Sequence, residues 1–520
     1  MIKKILDNRF IVLYLIPFFI GSLTVFSFQP FNFSFINFFV FPILFTLLVY
    51  VKKRSKSKYR KKPYLKNLFL LGFFFSFGFY LSGIFWISYS LTFDENFKFL
   101  IPFAIVFIPF FLSLFNSLTF LIIGQFINYN LPSILIFSGG LALSDYVRSK
   151  ILSGFPWNLW GYTWSWFTEV LQILNPIGLF AFNLITITIF TLPAYFFFKV
   201  SFKKRLFVFS CKFLLIFSVF LFGTVSINKN NALMNYIESS KKSHIKIISP
   251  NFELKYDTSI EEINKKLEKL IRYSDPDPNI NTLFIWPEGI FTGYSFEEIQ
   301  IFKKSIEKNF NDNHFILFGI NSYDKNSNVY YNSLVIIDNK FNKIHRYDKR
   351  KLVPFGEFVP FEKFLQKVGL KKITQGFGSF KNGSNQENIL LNKLNILPLI
   401  CYEIIFPELT QNSQNTTNLI VNISEDGWFG DSIGPHQHFA KAIFRSIENN
   451  TFLARSANKG ITAIINNKGE IIKKINTNEI GSIEMDIPML EFEFKNKNDL
   501  IFIMLLFTYL FIFLIFRNKI

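Results

Sequence analysis

The stretch ILPLICYE, residues 396–403, carries the feature on which the interpretation of this chain depends. The apolar run Ile396–Ile400 predicts a buried strand that ends directly before Cys401, although Pro398 cannot donate a hydrogen bond to a central ladder. Cys401 is the single thiol of residues 226–497, because the only other cysteine of the chain is Cys211. A buried free cysteine is most often a small apolar residue, so its chemical partners decide what it does.

Two further stretches supply partners of opposite charge. Glu288 follows the predicted strand Thr282–Trp286 in FIWPEG (284–289), and Lys349 follows a predicted hairpin turn in YDKRKLVPFGE (347–357). Open α/β sheets place their functional sites at the carboxyl ends of strands. We therefore expect Glu288 and Cys401 at the ends of neighbouring strands, with Lys349 reaching over the same edge.

This combination predicts thiol acyl chemistry. A free thiol with a pKa of about 8.5 is mostly protonated at neutral pH, so a cysteine nucleophile needs a base or a nearby positive charge. Glu288 is the candidate base that takes the proton as Cys401 attacks an acyl carbonyl. Lys349 and the backbone N–H of Tyr402 are the candidates for stabilising the oxyanion. The product is a thioester on Cys401, which a second nucleophile must resolve.

The composition predicts a membrane protein, because half of the 520 residues are hydrophobic and 72 are Phe. Eight apolar runs are long enough to cross a hydrocarbon core of about 30 Å, and eight buried core helices in one chain would be unusual. The first run follows a charged start, but no small-residue cleavage site follows it, so we expect an anchor rather than a cleaved signal peptide. The runs are residues 10–27, 34–50, 67–90, 99–127, 131–147, 170–198, 206–224 and 499–516.

The position of the positive charge indicates topology rather than nucleic-acid binding. Residues 226–497 hold 34 Lys and Arg against 31 Asp and Glu, which leaves +16 of the net charge of +19 in the membrane part. Basic clusters near residues 3–9, 52–66, 199–205 and 517–519 satisfy the positive-inside rule if all of them are cytoplasmic. The prediction is a seven-helix domain over 1–225, a domain over 226–497 outside the cytoplasm, and a final membrane helix over 498–520.

Residues 226–497 alternate short β-rich runs with helical segments, which predicts one α/β domain. A metal site is not expected, because His436 and His438 lack further ligands at suitable spacing. Glycine-rich phosphate loops are absent from the sequence, which argues against nucleotide dependence.

The blocks around Glu288, Lys349 and Cys401 resemble the three motifs of the nitrilase superfamily. The run LVPFGEFVP (352–360) narrows the resemblance to the apolipoprotein N-acyltransferase family. The stretches SGFPWNLWGY (153–162), DGWFGDS (426–432) and ARSANKG (454–460) also resemble blocks of that family, so the likeness extends over nearly the whole chain.

The resemblance implies an αββα nitrilase-like sandwich together with about eight transmembrane helices. It implies Glu288, Lys349 and Cys401 as the catalytic triad, supporting roles for Glu357 and Glu403, and no cofactor. The implied reaction passes a fatty acyl chain from a phospholipid, chiefly phosphatidylethanolamine, to the α-amine of a diacylglyceryl-cysteine on an apolipoprotein. The implied location is the bacterial inner membrane, with the catalytic domain in the periplasm.

Some positions depart from the family pattern, and two other functions stay open. Lys351 stands where relatives often have His, and residues 424–428 differ from the usual Asn-Asp-Ala-Trp. One alternative is a membrane-tethered amidase, in which water resolves the thioester. The other is a transporter or receptor, which the near absence of charge within the predicted spans argues against.

Overall fold

The computed structural model describes residues 6–58, 63–237, 241–255, 258–360, 379–384, 387–410, 417–489 and 498–517. The chain divides into two compact units. One unit holds residues 1–88, 100–226 and 497–520, and the other holds residues 89–99 and 227–496. We refer to them as the helical unit and the α/β unit.

The α-helices of the described residues form over apolar runs of the sequence, and residues that favour caps or turns stand at their ends. Asn130 caps one of them, because its side chain accepts a hydrogen bond from the backbone N–H of Ser133. In chain order the helices are α1 (Ile16–Leu23), α2 (Asn37–Lys58), α3 (Pro63–Ile84), α4 (Ile101–Ile123), α5 (Leu131–Lys150), α6 (Thr168–Leu171), α7 (Leu174–Thr191), α8 (Phe202–Met234), α9 (Ile260–Ser274), α10 (Lys303–Asn309), α11 (Gly434–Asn449) and α12 (Asn498–Phe516).

Within the described ranges, six helical segments are long and apolar enough to cross a membrane, rather than the eight that were predicted. The predicted first span forms only a shorter apolar helix over Ile11–Ser27. The predicted fifth span corresponds to α5, which is less apolar because it carries several small polar residues and a buried ion pair between Asp145 and Arg148. The six segments are Ser34–Arg54, Tyr64–Phe93, Glu95–Ile123, Leu174–Phe197, Phe202–Met234 and Asp499–Phe516.

Glycine allows α1 and α3 to approach closely in the helical unit. A methyl group at Gly21 would overlap the carbonyl oxygen of Phe75, and one at Gly78 would overlap the carbonyl oxygen of Phe18. Small residues at a contact let helix backbones pack closely, which is a common device in membrane proteins.

The α/β unit contains two six-stranded sheets. The first has the strand order β12-β1-β2-β3-β4-β5, and the second has the order β11-β10-β9-β8-β7-β6. The strands are β1 (Lys242–Ser249), β2 (Thr282–Ile285), β3 (His314–Asp324), β4 (Val329–Ile337), β5 (Lys343–Asp348), β6 (Ile389–Leu391), β7 (Leu394–Ile400), β8 (Leu419–Glu425), β9 (Phe452–Asn458), β10 (Thr462–Ile465), β11 (Ile471–Ile475) and β12 (Gly481–Pro488).

Alternating side chains of the first sheet build two separate cores. Leu283 and Ile285 of β2 join a cluster with Val421 and Ile423 of the second sheet, so the two sheets pack face to face. Phe284 lies on the opposite face of β2 and packs with residues of α9. Because successive side chains of a strand point to opposite faces, every second residue lies between the two sheets and the residues in between pack under a helix.

The sequence predicts seven strands in this unit, at residues 244–248, 282–286, 315–319, 333–337, 396–400, 418–423 and 461–466, and hairpin turns at residues 338–340 and 467–470. All seven strands and both turns are present. Pro398 is tolerated in β7 because it lies beyond the residues that pair with β6, so the strand pairs there with β8 alone. The sequence interpretation missed β5, β6, β9, β11 and β12. The strand β9 carries polar residues in a buried setting, and β12 alternates exposed and half-buried residues, so neither has the apolar run of a buried strand.

We expect Gly78→Ala to lower the free energy of unfolding by about 1–3 kcal/mol, because the added methyl group must force α1 and α3 apart. Gly139→Ala is the matched control, since a methyl group there would make ordinary contacts at 3.6 Å with Leu506. It should leave stability unchanged or raise it by up to about 1 kcal/mol through better helix propensity. Thermal unfolding of the detergent-solubilised chain, followed by tryptophan fluorescence, measures both. Equal effects of the two substitutions would contradict the close packing.

Candidate active site

Three strands deliver the predicted triad to one place in the α/β unit. Glu288 follows β2, Lys349 follows β5 and Cys401 follows β7. The expectation that Glu288 and Cys401 end neighbouring strands is wrong, because β2 pairs with β1 and β3 in the first sheet, whereas β7 pairs with β6 and β8 in the second. The residues meet because the two sheets pack face to face, so the site lies between their ends.

The ammonium group of Lys349 lies between two carboxylates. Its Nζ is 2.9 Å from Oε1 of Glu357 and 3.8 Å from Oε1 of Glu288, and its side chain is 1% exposed. Burial alone would lower the pKa of Lys349, but the charges of Glu357 and Glu288 outweigh it and raise this pKa above its ordinary value. Lys349 is therefore a permanent positive charge at neutral pH.

Asn332 of β4 joins the two carboxylates and was not found from the sequence. Its Nδ2 donates to Oε1 of Glu288 at 2.8 Å and to Oε1 of Glu357 at 2.6 Å. Its backbone carbonyl accepts from the N–H of Lys349 at 2.8 Å. The available signal was an amide just before the apolar run that ends β4, because such a group needs a partner when it is buried.

The carboxyl group of Glu288 has the properties of a proton acceptor. Its Oε2 accepts the backbone N–H of Glu425 at 3.2 Å, which fixes the second oxygen. Burial raises the pKa of Glu288, the charge of Lys349 opposes this, and the charge of Glu357 adds to it, with a net rise. A carboxylate with a raised pKa is a stronger base than one exposed to water.

Cys401 occupies a strained turn at the end of β7. Its φ of +48° lies in the left-handed region, which is uncommon for a residue with a side chain. Burial raises the pKa of the thiol, the charge of Glu288 raises it further, and the charge of Lys349 opposes both. The resting thiol therefore keeps its proton and requires a base when it attacks.

Glu403 ties the turn at Cys401 to the segment that follows Lys349. Its Oε1 accepts from the hydroxyl of Tyr347 at 2.9 Å and from the backbone N–H groups of Arg350 at 2.7 Å and Lys351 at 3.2 Å. Its Oε2 accepts from the N–H of Ile400 at 2.8 Å. Burial raises the pKa of Glu403, and these donors oppose the rise. The side chain therefore holds the turn at Cys401 and the segment after Lys349 in register.

The other two predicted supporting residues also lie at the site. Besides pairing with Lys349, Glu357 accepts the backbone N–H of Val353 through Oε2 at 2.8 Å, which closes the loop that carries it. Tyr402 follows Cys401 in a 3₁₀ turn over Cys401–Ile405, and its buried ring packs edge-on against Phe406 with centroids 5.0 Å apart.

The positions that depart from the family pattern lie in different settings. Lys351 is half-buried and extends over the ring of Phe406, with Nζ 3.6 Å from Glu408. Glu425 is buried next to Glu288, and burial raises its pKa to about 8 even though Asn458 and the N–H of Gly427 donate to it. Glu425 thus adds little negative charge beside Glu288 at neutral pH.

Residues 260–492 match the carbon-nitrogen hydrolase family, and residues 20–192 match the apolipoprotein N-acyltransferase N-terminal domain. Apolipoprotein N-acyltransferase of Rickettsia typhi is 32% identical over 91% of this chain and 92% of its own length. The corresponding protein of Rhodopseudomonas palustris is 28% identical over 90% of this chain and 88% of its own length. Among solved structures, Nit3 of Saccharomyces cerevisiae superposes with a TM-score of 0.36 and 15% identity, covering 48% of this chain and 90% of that one.

The two packed sheets and the match over residues 260–492 define the α/β unit as a nitrilase-like domain of the carbon-nitrogen hydrolase class. The identity extends through the helical unit as well. This chain belongs to the apolipoprotein N-acyltransferase family.

We expect Glu403→Gln to lower activity at least about tenfold and stability by about 1–3 kcal/mol, because every partner of this carboxylate is a donor and the amide nitrogen cannot accept. Glu307→Gln is the matched control, since this exposed carboxylate of α10 has a long surface ion pair with Lys303. It should change stability by less than about 1 kcal/mol. Acyl transfer rates and thermal unfolding of both variants provide the measurement, and a fully active Glu403→Gln enzyme would refute the bracing role.

Replacing Asn332 by Asp should lower the acylation rate about 100-fold, because a third carboxylate would repel the two that the amide now joins. The same repulsion raises the pKa of Glu288 further, so the acidic limb of the rate profile should move to higher pH. Asn326→Asp adds the same charge at an exposed turn and should leave the profile in place. Single-turnover acylation rates measured across pH test this prediction. If the acidic limb of the Asn332→Asp profile does not move, Asn332 does not join Glu288 to Glu357 as described.

Proposed function

We propose that this chain transfers a fatty acyl group from a phospholipid to the N-terminal α-amine of a diacylated apolipoprotein, through a thioester on Cys401. As a member of its family, the protein is an apolipoprotein N-acyltransferase, which carries out the final step of lipoprotein maturation. The proposal adds the nucleophile, the acyl donor and the orientation in the membrane.

The observation that carries the proposal is the buried ammonium of Lys349, held between Glu288 and Glu357 beside the thiol of Cys401. In the first step Glu288 takes the thiol proton while sulfur attacks the ester carbonyl carbon of the donor. The oxyanion that forms is stabilised by Lys349 and the backbone N–H of Tyr402. When the intermediate collapses, the carbon–oxygen bond breaks, and Glu288 returns the proton to the lysophospholipid that leaves.

The second step runs through the same groups. The α-amine of the acceptor attacks the thioester carbon, and Lys349 again faces the developing oxyanion. Glu288 takes a proton from the attacking nitrogen and delivers it to the sulfur as the carbon–sulfur bond breaks. The products are an amide-linked acyl chain on the acceptor and the regenerated thiol of Cys401.

The membrane helices suit substrates that stay in a bilayer. The protein is a multi-pass membrane protein, with six helical segments of membrane-spanning length and composition in the described part of the chain. An enzyme seated in the bilayer reaches lipid substrates without extracting their acyl chains into water. We propose phosphatidylethanolamine as the principal donor, as the family resemblance implies.

We further propose that the α/β unit faces the periplasm. The support is the concentration of Lys and Arg near residues 3–9, 52–66, 199–205 and 517–519, which the positive-inside rule assigns to the cytoplasm. Outside the cytoplasm, membrane lipids are the plentiful source of acyl groups, which agrees with a phospholipid donor.

Intact-mass analysis after incubation with phosphatidylethanolamine vesicles tests the thioester. Wild-type protein should gain the mass of one fatty acyl group that hydroxylamine removes, because thioesters are cleaved by this nucleophile. Cys401→Ser should gain no hydroxylamine-sensitive mass, whereas Cys211→Ser should behave as wild type. A diacylated lipopeptide should then receive the acyl group as an amide. Release of free fatty acid alone would indicate a hydrolase, and an unmodified wild-type enzyme would refute the thioester.

A further inference from the structure

A buried polar network lies behind Cys401, and the chemistry proposed above makes no use of it. Its members come from three elements and the turn between two of them, and each is at most 1% exposed. They are Asn422 and Ser424 of β8, Asp426 in the following turn, His438 of α11 and Arg455 of β9.

An ion pair forms the centre of this network. Nη2 of Arg455 donates to the carboxylate of Asp426 at 2.8 and 3.0 Å, and the hydroxyl of Ser424 donates to it at 2.7 Å. Burial raises the pKa of Asp426, but Arg455 and His438 outweigh it and hold this pKa below its ordinary value. A buried ion pair contributes little net stability, so its value lies in the geometry that it imposes.

Both ends of the network reach the backbone of the strand that carries the thiol. Arg455 donates to the side-chain oxygen of Asn422, whose Nδ2 donates to the carbonyl of Leu399 at 3.2 Å. On the other side, Nε2 of His438 lies 3.2 Å from the carbonyl oxygen of Cys401. The network therefore holds the Leu399–Ile400 peptide group at the end of β7 and the Cys401–Tyr402 peptide group directly after the thiol.

Both ring nitrogens of His438 face acceptors. A carbonyl oxygen only accepts, so the contact with Cys401 requires a hydrogen on Nε2. Nδ1 lies 2.9 Å from Oδ1 of Asp426 and 3.0 Å from Nη2 of Arg455. Burial and the charge of Arg455 lower the pKa of His438, and the Asp426 carboxylate opposes them. The ring therefore joins the Cys401 carbonyl to the Asp426 carboxylate.

We propose that His438 is a positioning residue that aims the oxyanion donor of Tyr402. The carbonyl of Cys401 and the N–H of Tyr402 belong to one planar peptide group and point in opposite directions. Holding the carbonyl from behind therefore directs the N–H forward, toward the carbonyl group under attack. The inference rests on the proposed thioester chemistry, because only a tetrahedral intermediate presents an oxyanion to this N–H.

The strained turn explains why such a contact is needed. Cys401 has a φ of +48°, and a non-glycine residue in this region costs on the order of 1 kcal/mol or more. A peptide group in that position relaxes unless its neighbours hold it. His438 is itself held from behind by the Asp426 carboxylate, which Arg455 fixes in turn. It is flanked by the ring of Phe429, with centroids 5.4 Å apart.

Two substitutions in a Cys211→Ser background test the proposal with the full-length chain in phosphatidylethanolamine vesicles. Gln places its Nε2 near the position of the histidine Nε2, so His438→Gln keeps a donor for the Cys401 carbonyl. His438→Phe keeps the ring and its packing but loses the donor. Two reactions of Cys401 are compared by intact mass: acylation by the phospholipid, which passes through an oxyanion, and alkylation by iodoacetamide, which does not.

We expect His438→Phe to acylate about 100-fold more slowly, which is the scale of losing one oxyanion donor. Alkylation should stay within about twofold of the control, and His438→Gln should recover most of the acylation rate. Equal losses in both reactions would indicate a merely structural role and overturn the inference, as would undiminished acylation in His438→Phe. If that variant does not fold, acylation by His438→Gln below a tenth of the control rate overturns it. Failure of the control protein itself to acylate would instead refute the proposed function.

Discussion

The structure of the site depends on one buried positive charge. The ammonium of Lys349 is 1% exposed, and a charge removed from water in this way is tolerated only when it is paired and hydrogen-bonded. Glu357 and Glu288 provide the pairing, and two carboxylates that close to each other would repel without the ammonium and the amide of Asn332 between them. The ammonium of Lys349 requires the two carboxylates as partners, and its positive charge is also suited to stabilising an oxyanion. The same group therefore serves both the structure and the proposed chemistry of the site.

At the turn that carries Cys401, hydrogen bonds to the Leu399–Ile400 and Cys401–Tyr402 peptide groups hold a backbone conformation that the chain would otherwise leave. Glu403 accepts the N–H of Ile400, Asn422 binds the carbonyl of Leu399, and His438 binds the carbonyl of Cys401. Asn422 and His438 come from elements far from Cys401 in sequence, so the strain at this residue is opposed by contacts from across the domain. The left-handed φ thus depends on tertiary contacts as well as on the local contact from Glu403.

Much of the fold could be predicted from the sequence where a segment decides its own structure. The runs that become β2, β3, β7 and β8 could be located because their residues are apolar either continuously or at every second position. The strand β9 was missed because Arg455, Ser456 and Asn458 look polar, although all are buried among partners from other elements. The helix α5 of the described ranges lies where a span was predicted, but it is less apolar than the six segments of spanning composition, and its polar groups at Asp145 and Arg148 bond to each other and, through Asp145, to Asn183 of α7.

The sequence by itself determined the family and most of the membrane segments. It also predicted the candidate site residues Glu288, Lys349, Cys401, Glu357, Glu403 and Tyr402, because each stands in a local block whose spacing does not depend on distant contacts. Only the tertiary structure decided that Glu288 and Cys401 end strands of different sheets, and that Asn332 and His438 complete their surroundings. The physical reason is that the pairing of strands and the partners of buried polar groups are set by burial across the whole domain. The sequence around a single amide or imidazole group does not show which carbonyl or carboxylate group it will contact in the folded domain.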